Sequence, residues 1–249
     1  MQLHRLIAGL DEDVYERGRP DYPPALVETL TAGCGVAPGG RVLDLGAGTG
    51  KLARPLLAAG FDVVAVEPLE RMRAVLARSL GADRALPGTA EAIPLPDASV
   101  DAVICGDSYH WFDADRAPRE IHRVLRPGGG VALVWRWADA GAGTAAWIGR
   151  FETLLEAVRP EHPGFTEDRG ARGLERHGGF TALRRLRERF SHTTDVDGLC
   201  AYVASITYVG LLDEAQRARL LADVATLVAD EPAPFTVPMF ADVWLTSRR

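Results

Sequence analysis

Val42-Leu43-Asp44-Leu45-Gly46-Ala47-Gly48-Thr49-Gly50 sets apolar residues on either side of one acid, then alternates three glycines with small residues. The amphipathic run that begins at Lys51-Leu52 follows without a gap. This is the pattern of a buried strand that ends in a tight turn and feeds a helix start. Glycine serves where the backbone takes positive φ or presses against a ligand. A helix start offers N–H donors and a positive dipole end, which suits a polar or anionic group. The stretch therefore predicts the ligand cradle of an α/β sheet.

Working outward, Leu52, Leu56 and Leu57 give a helical face, and Gly60-Phe61 breaks it. Val63 to Val66 is a continuous β-branched run, as expected for a strand covered on both faces, and it ends in Glu67-Pro68. A helix is predicted over Leu69 to Leu80, then a weak third strand near Arg84 to Leu86. Gly88-Thr89-Ala90-Glu91-Ala92-Ile93-Pro94 forms a proline-pinned loop. Ser99 to Gly106 reads as the fourth strand, with Asp107-Ser108-Tyr109-His110-Trp111-Phe112-Asp113 at its carboxyl end. Asp113 is placed to cap the next helix. Arg126-Pro127-Gly128-Gly129-Gly130 is expected to stop that helix, and Val131 to Trp135 to form the fifth strand. Strands alternating with helices predict a parallel, doubly wound sheet.

The glycines at 46, 48 and 50 do not match the dinucleotide spacing Gly-x-Gly-x-x-Gly. Asp-x-Gly-x-Gly-x-Gly instead resembles the first motif of class I S-adenosylmethionine-dependent methyltransferases. The loop Ala90-Glu91-x-x-Pro94 and the string Arg123-Val124-Leu125-Arg126-Pro127-Gly128-Gly129 resemble later motifs of that family in the same order. The resemblance is closest to the small-molecule, type 11-like group with a His-Trp-Phe signature, here His110-Trp111-Phe112. It implies a seven-stranded Rossmann-like sheet with an antiparallel last strand and a helical substrate cap. It also implies S-adenosyl-L-methionine as cofactor, held by Asp44, Gly46, Ala47, Gly48, Glu67, Pro68, Thr89, Ala90, Glu91, Gly106 and Asp107. Within that set Glu67 would hold the ribose, while Ala90 and Glu91 would meet the adenine.

Tyr15-x-x-x-Arg19-Pro20-x-Tyr22-Pro23 resembles the approach segment of the same family, which makes Tyr15 and Arg19 candidates for the cofactor carboxylate. The alternative is a loop and helix that only cover the sheet edge, with the helix from about Pro23 to Thr31. His110 is the candidate general base, because it follows the fourth strand and histidine titrates near neutral pH. The alternative is a residue that only positions a loop or the substrate. Trp111, Trp135 and Trp137, with His110, are the candidate substrate residues. The remaining histidines (His4, His122, His162, His177, His192) read as surface residues, and Arg184, Arg185, Arg187 and Arg189 as a solvated face.

The 249 residues fit one domain: an N-terminal flap and helix over 1–40, a cofactor-binding half over 41–136, and a substrate cap with closing strands over 137–249. In that last part, Ala138 to Gly143 reads as a small-residue loop, Ala145 to Val158 as a helix and Pro160 to Gly179 as surface loops. The sixth strand is expected within Phe180 to Phe190, helical spacing recurs over Leu211 to Val228, and Phe235 to Leu245 fits the closing strand.

Hydrophobic and charged fractions of 47% and 25% are ordinary for a globular protein. A net charge of −6 with interspersed signs argues against a nucleic-acid partner. No apolar run approaches a membrane span, and the first residues lack a secretory core. Cys34, Cys105 and Cys200 are odd in number and scattered, which predicts neither disulfides nor a metal site and suits a reducing cytoplasm. The expected activity is methyl transfer to a small molecule by a monomer or homodimer. Competing readings are a nicotinamide oxidoreductase, an enzyme using the same cofactor for another reaction, and a catalytically silent cofactor binder.

Overall fold

The strand ahead of the glycines is β1, Arg41–Leu45, whose Val42, Leu43 and Leu45 side chains are fully buried. Parallel to it lie β2 (Asp62–Val66) on one side and, on the other, a later strand, Val100–Gly106. Numbering in chain order makes Ala85–Leu86 β3, Val100–Gly106 β4, Leu125–Ala138 β5, Arg184–Thr194 β6 and Phe235–Ser247 β7. One seven-stranded sheet results, in the order β3-β2-β1-β4-β5-β7-β6. The order reverses between β1 and β4, the place where open α/β sheets bind ligands beyond the strands' carboxyl ends. The computed structural model describes residues 12–141, 144–160 and 170–249. Residues 1–11 of the expected flap, parts of the loops read at 138–143 and 160–179, and His4 and His162 lie outside them.

β7 closes the sheet antiparallel. The Asp139 amide donates to Pro238 O at 2.8 Å and the Arg248 amide to Gly129 O at 2.9 Å. Partner numbers thus fall along one strand as they rise along the other. This pairing changes one sequence expectation: β5 starts at Leu125 and takes in the Arg126–Gly130 run that was read as a turn. Gly130 in this run also lets the Cys34 backbone approach the strand, since a Cβ there would sit 2.3 Å from Cys34 O.

The contacts divide the chain into two compact units. The sheet unit comprises the described residues of Asp21–Trp135, His162–Glu188 and Ala241–Arg249. It contains helices α2 (Pro24–Gly33), α3 (Ala53–Ala58), α4 (Glu70–Leu80), α5 (Arg116–Val124) and α7 (Arg172–His177). Pro23, at the N-cap of α2, sits where a missing N–H costs no helical bond. Asp113 acts as foreseen, its Oδ1 accepting from the amides of Asp115 (3.0 Å) and Arg116 (2.9 Å) at the start of α5.

The helical unit comprises the described residues of Met1–Pro20, Arg136–Glu161 and Arg189–Phe240, with α1 (Glu12–Gly18), α6 (Ala146–Ala157), α8 (Val196–Ala204) and α9 (Glu214–Leu227). Trp147, Phe151 and Phe235 form its aromatic centre, with edge-to-face pairs at 6.3 and 5.8 Å. A capping box at Asp213 and Gln216 starts α9. Where α1 meets α8, a Cβ added at Gly18 would lie 2.2 Å from the Ala201 carbonyl carbon. Gly18→Ala is therefore expected to destabilise the protein by about 1–3 kcal/mol through overpacking. Urea unfolding checks this, and an unchanged midpoint would contradict the packing described. Among the described residues, no helix is long and apolar enough to cross a membrane.

Candidate functional site

The β1 turn takes left-handed backbone at Gly46 (φ 74°), Gly48 (φ 58°) and Gly50 (φ 91°). A Cβ on Gly46 would press on Ser108 Cβ at 2.7 Å, so space as well as dihedral requires glycine there. The turn is tied to β2 rather than left with its amides waiting. Gly46 N and Ala47 N both donate to Val66 O, at 2.9 and 3.2 Å. Gly48 N donates to Glu67 Oε2 at 2.8 Å, and Leu69 N to Glu67 Oε1 at 2.8 Å. The sequence reading offers these amides to a polar or anionic group of a ligand. The structure spends three of them on holding the turn against the β2 terminus. Glu67, 5% exposed, is the clasp that joins the glycine turn to the loop through Pro68.

Asp44 lies one strand over, 1% exposed, and its Oδ2 finds no hydrogen-bond partner among the described residues. Burial, reinforced by the nearby Glu67 charge and opposed by the Ala53 amide, pushes its carboxyl up to about 8. Thr49 is fully buried, and its hydroxyl likewise lacks a partner among the described residues. Glu67 thus bears the charge of the Asp44–Glu67 pair, and a cation would draw Asp44 into its ionised form, which favours a cationic or hydroxyl-bearing ligand. S-adenosylmethionine, with its ammonium, sulfonium and ribose hydroxyls, fits that donor set.

Because Asp44 holds its proton more tightly folded than unfolded, stability of the ligand-free protein should fall as pH rises from about 4 to about 8, then level off. Asp44→Asn should flatten that slope. Thermal melts between pH 5.5 and 8.5 compare the two, and parallel profiles would contradict the assignment.

At the end of β4, Asp107 also adopts a left-handed backbone (φ 51°), an uncommon state that short polar side chains tolerate best. Its amide donates to Val134 O at 2.8 Å. Tyr22 lies with its hydroxyl 3.5 Å from Asp107 Oδ2, and a Cβ on Gly106 would meet that hydroxyl at 2.4 Å. Ser108 Oγ donates to Leu45 O at 2.8 Å and pins the loop to β1. Neither Tyr22 nor Ser108 is singled out by sequence, although Tyr22 belongs to the quoted Tyr15–Pro23 string. Of that string, Tyr15 and Arg19 belong to the helical unit.

The Asp107–Asp113 loop carries His110 in a short 3₁₀ turn, Tyr109–Trp111. Parallel pairing of Gly106 with Val134 puts Trp135 beside this loop, and the indole Nε1–H donates to His110 Nδ1 at 3.0 Å. That bond needs the Nδ1 lone pair, so the imidazole proton resides on Nε2. A flipped ring would press Cδ2–H against the indole N–H, which fixes the orientation. A base at this position would take its proton at Nδ1 and break the Trp135 bond. Trp135 itself is 2% exposed and acts on the site through His110, while Trp111 packs on the His110 ring at 4.7 Å between centroids. Trp137 belongs to the helical unit.

In the loop after β3, Thr89 bridges to Ala92, Ala90 is buried, and Glu91 Oε1 accepts from Asp113 N at 2.9 Å. Glu91 thereby couples this loop to the start of α5. Cys34 and Cys105 are buried, with burial pushing both thiols up, as fits inert apolar packing rather than reactivity.

Residues 43–133 match the family model described as a methyltransferase domain. A Mycobacterium tuberculosis protein described as an uncharacterized methyltransferase is 39% identical over 224 residues, covering 88% of this chain and 84% of its own. A malonyl-[acyl-carrier protein] O-methyltransferase from Methylococcus capsulatus is 36% identical over 170 residues, 61% of each chain. A solved structure assigned as a type II methyltransferase, from Anaeromyxobacter dehalogenans, superposes with a TM-score of 0.64 at 28% identity, covering 93% of this chain and 97% of its own. With the glycine turn, the seven-stranded order and these relatives in agreement, the chain belongs to the class I S-adenosylmethionine-dependent methyltransferases.

Proposed function

We propose that this methyltransferase transfers a methyl group from S-adenosyl-L-methionine to a small-molecule acceptor. The observation that carries the cofactor reading is the Asp44–Glu67 pair against the glycine turn. Glu67 is a carboxylate at the end of β2, and a ribose diol is a suitable donor to such a group. Asp44 answers cationic charge, while Gly46, Ala47 and Gly48 allow close approach of the ligand. Pro68 shapes the sugar side, Thr89, Ala90 and Glu91 the adenine side, and Gly106 with Asp107 the floor. When bound, the cofactor supplies an electrophilic methyl on a sulfonium. The protein's task is then to place a nucleophile in line, an effect worth up to roughly 7–11 kcal/mol.

His110 contributes as a hydrogen-bond donor through Nε2–H, orienting an acceptor oxygen, with Trp111 as a neighbouring wall. This suits an acceptor already ionised at the working pH, such as a carboxylate, which needs no base. The malonyl-[acyl-carrier protein] relative, an O-methyltransferase by name, supports a carboxylate or related oxygen acceptor. A nicotinamide dinucleotide fits poorly, because the Gly46, Ala47 and Gly48 amides that a pyrophosphate would need already donate to Val66 O and Glu67. Calorimetric titration separates the readings: S-adenosylmethionine should bind and NADH should not. Binding of NADH alone would defeat the proposal. Mass-spectrometric detection of S-adenosylhomocysteine during an acceptor screen tests turnover itself.

A further inference from the structure

The loop between β3 and β4 lies beside the Glu67 end of β2, and α5 straps it in place. A Cβ on Gly88 would meet Pro94 Cδ at 2.7 Å and Val66 Cγ1 at 3.2 Å, and Val66 is the residue before Glu67. From α5, Arg123 Nη2 donates to Ile93 O at 2.8 Å, and Nη1 to Leu95 O at 2.7 Å and Asp97 Oδ1 at 2.9 Å. One turn earlier, Glu120 Oε2 accepts from Ile93 N at 2.9 Å and from Arg123 Nη2 at 2.8 Å, while Oε1 takes Arg123 Nε at 2.8 Å. One ion pair thus holds both backbone polar groups of Ile93. The Arg123 bond keeps the Glu120 carboxyl below the usual carboxylate range, so the pair stays charged near neutral pH. The chain returns to β4 through Ala98, whose φ of 47° is uncommon for a residue with a Cβ, and the Ala98 amide donates to Arg123 O at 2.9 Å. At the other end of α5, the Asp113 amide donates to Glu91 Oε1 at 2.9 Å. Loops are ordinarily the mobile parts of a fold, so a planar charged fork committed to two of this loop's carbonyls indicates that its shape matters to a ligand.

We propose that Arg123, together with Glu120, is a positioning residue for base selection: by fixing Ile93 and Leu95 it holds Ala90 and Glu91 where they tell adenine from hypoxanthine. The inference rests on the methyltransferase reading, in which this loop meets the base. An exocyclic amine donates and the Glu91 carboxylate accepts, whereas a ring carbonyl in the same place would set two acceptors against each other. Such selection needs the acceptor held to within about 0.5 Å, which a loosely tethered loop does not provide. Lysine is a poor substitute, because one ammonium lacks the rigid fork that spans two carbonyls and a carboxylate.

Calorimetry with S-adenosylhomocysteine and S-inosylhomocysteine on wild type, Arg123→Gln and Arg123→Lys tests this. Wild type should prefer the adenine ligand by roughly tenfold or more. Arg123→Gln should bind S-adenosylhomocysteine roughly tenfold more weakly and S-inosylhomocysteine within about twofold of wild type, so that the preference collapses. Arg123→Lys should fall between the two. Equal weakening of both ligands, or an unchanged preference, overturns the proposal and leaves Arg123 a structural tie alone. Wild type that binds S-adenosylhomocysteine without any preference overturns it too, while the cofactor reading stands. Wild type that binds neither ligand defeats the cofactor reading, and the proposal falls with it. Should Arg123→Gln fail to fold, Glu120→Gln is read in the same way: a narrowed preference supports the role, and an unchanged one overturns it.

Discussion

Glu67→Ala is expected to weaken S-adenosylhomocysteine binding by roughly 30–150-fold, equivalent to about 2–3 kcal/mol for hydrogen bonds to a charged group. The same change removes the acceptor of two amides, Gly48 N and Leu69 N, each at 2.8 Å. Losing those bonds should cost about 1–3 kcal/mol per amide in stability. The glycine turn would lose its clasp to the end of β2. Glu67→Gln, which keeps one acceptor oxygen, should fall between wild type and alanine on both scales. Calorimetry and thermal melting check the pair, and alanine with wild-type affinity would contradict the ribose assignment.

His110→Ala is expected to lower kcat by roughly 10²-fold, the lower range for a positioned proton-bearing group, while S-adenosylhomocysteine affinity stays within about threefold. A donor role carries a signature that a base would not share. The imidazole ¹⁵N spectrum of wild type should report the Nε2–H tautomer near neutral pH. Trp135→Phe, which removes the indole donor, should yield a tautomer mixture and a lower kcat. An Nδ1–H tautomer in wild type would exclude the Trp135 bond seen at 3.0 Å and return His110 to the base role.

The glycine turn and Glu67 were legible because both are local. A β-branched run, a glycine alternation and an acid at a strand end stand within a few residues of one another. The parallel core followed from the same alternation, and the closing strand Phe235–Ser247 from its apolar pattern. Pairing between distant segments was not legible. The Arg126–Gly130 run reads as a turn until Arg248 arrives to pair with it. The Trp135 bond to His110 depends on the β4–β5 register, which no local pattern encodes. Asp44 was legible as a motif residue, yet its raised carboxyl comes from burial and from Glu67 across the β1–β2 pair. Tyr15 and Arg19 were picked out by resemblance, but their ring stacking and the buried Nε of Arg19 emerge only from helix packing.

A crystal structure with S-adenosylhomocysteine bears most directly on all of this. The ligand should lie on Gly46–Gly48 with its ribose hydroxyls on the Glu67 carboxylate and its adenine beside Ala90 and Glu91. A complex with no ribose hydroxyl on Glu67 and the nucleoside elsewhere would contradict it.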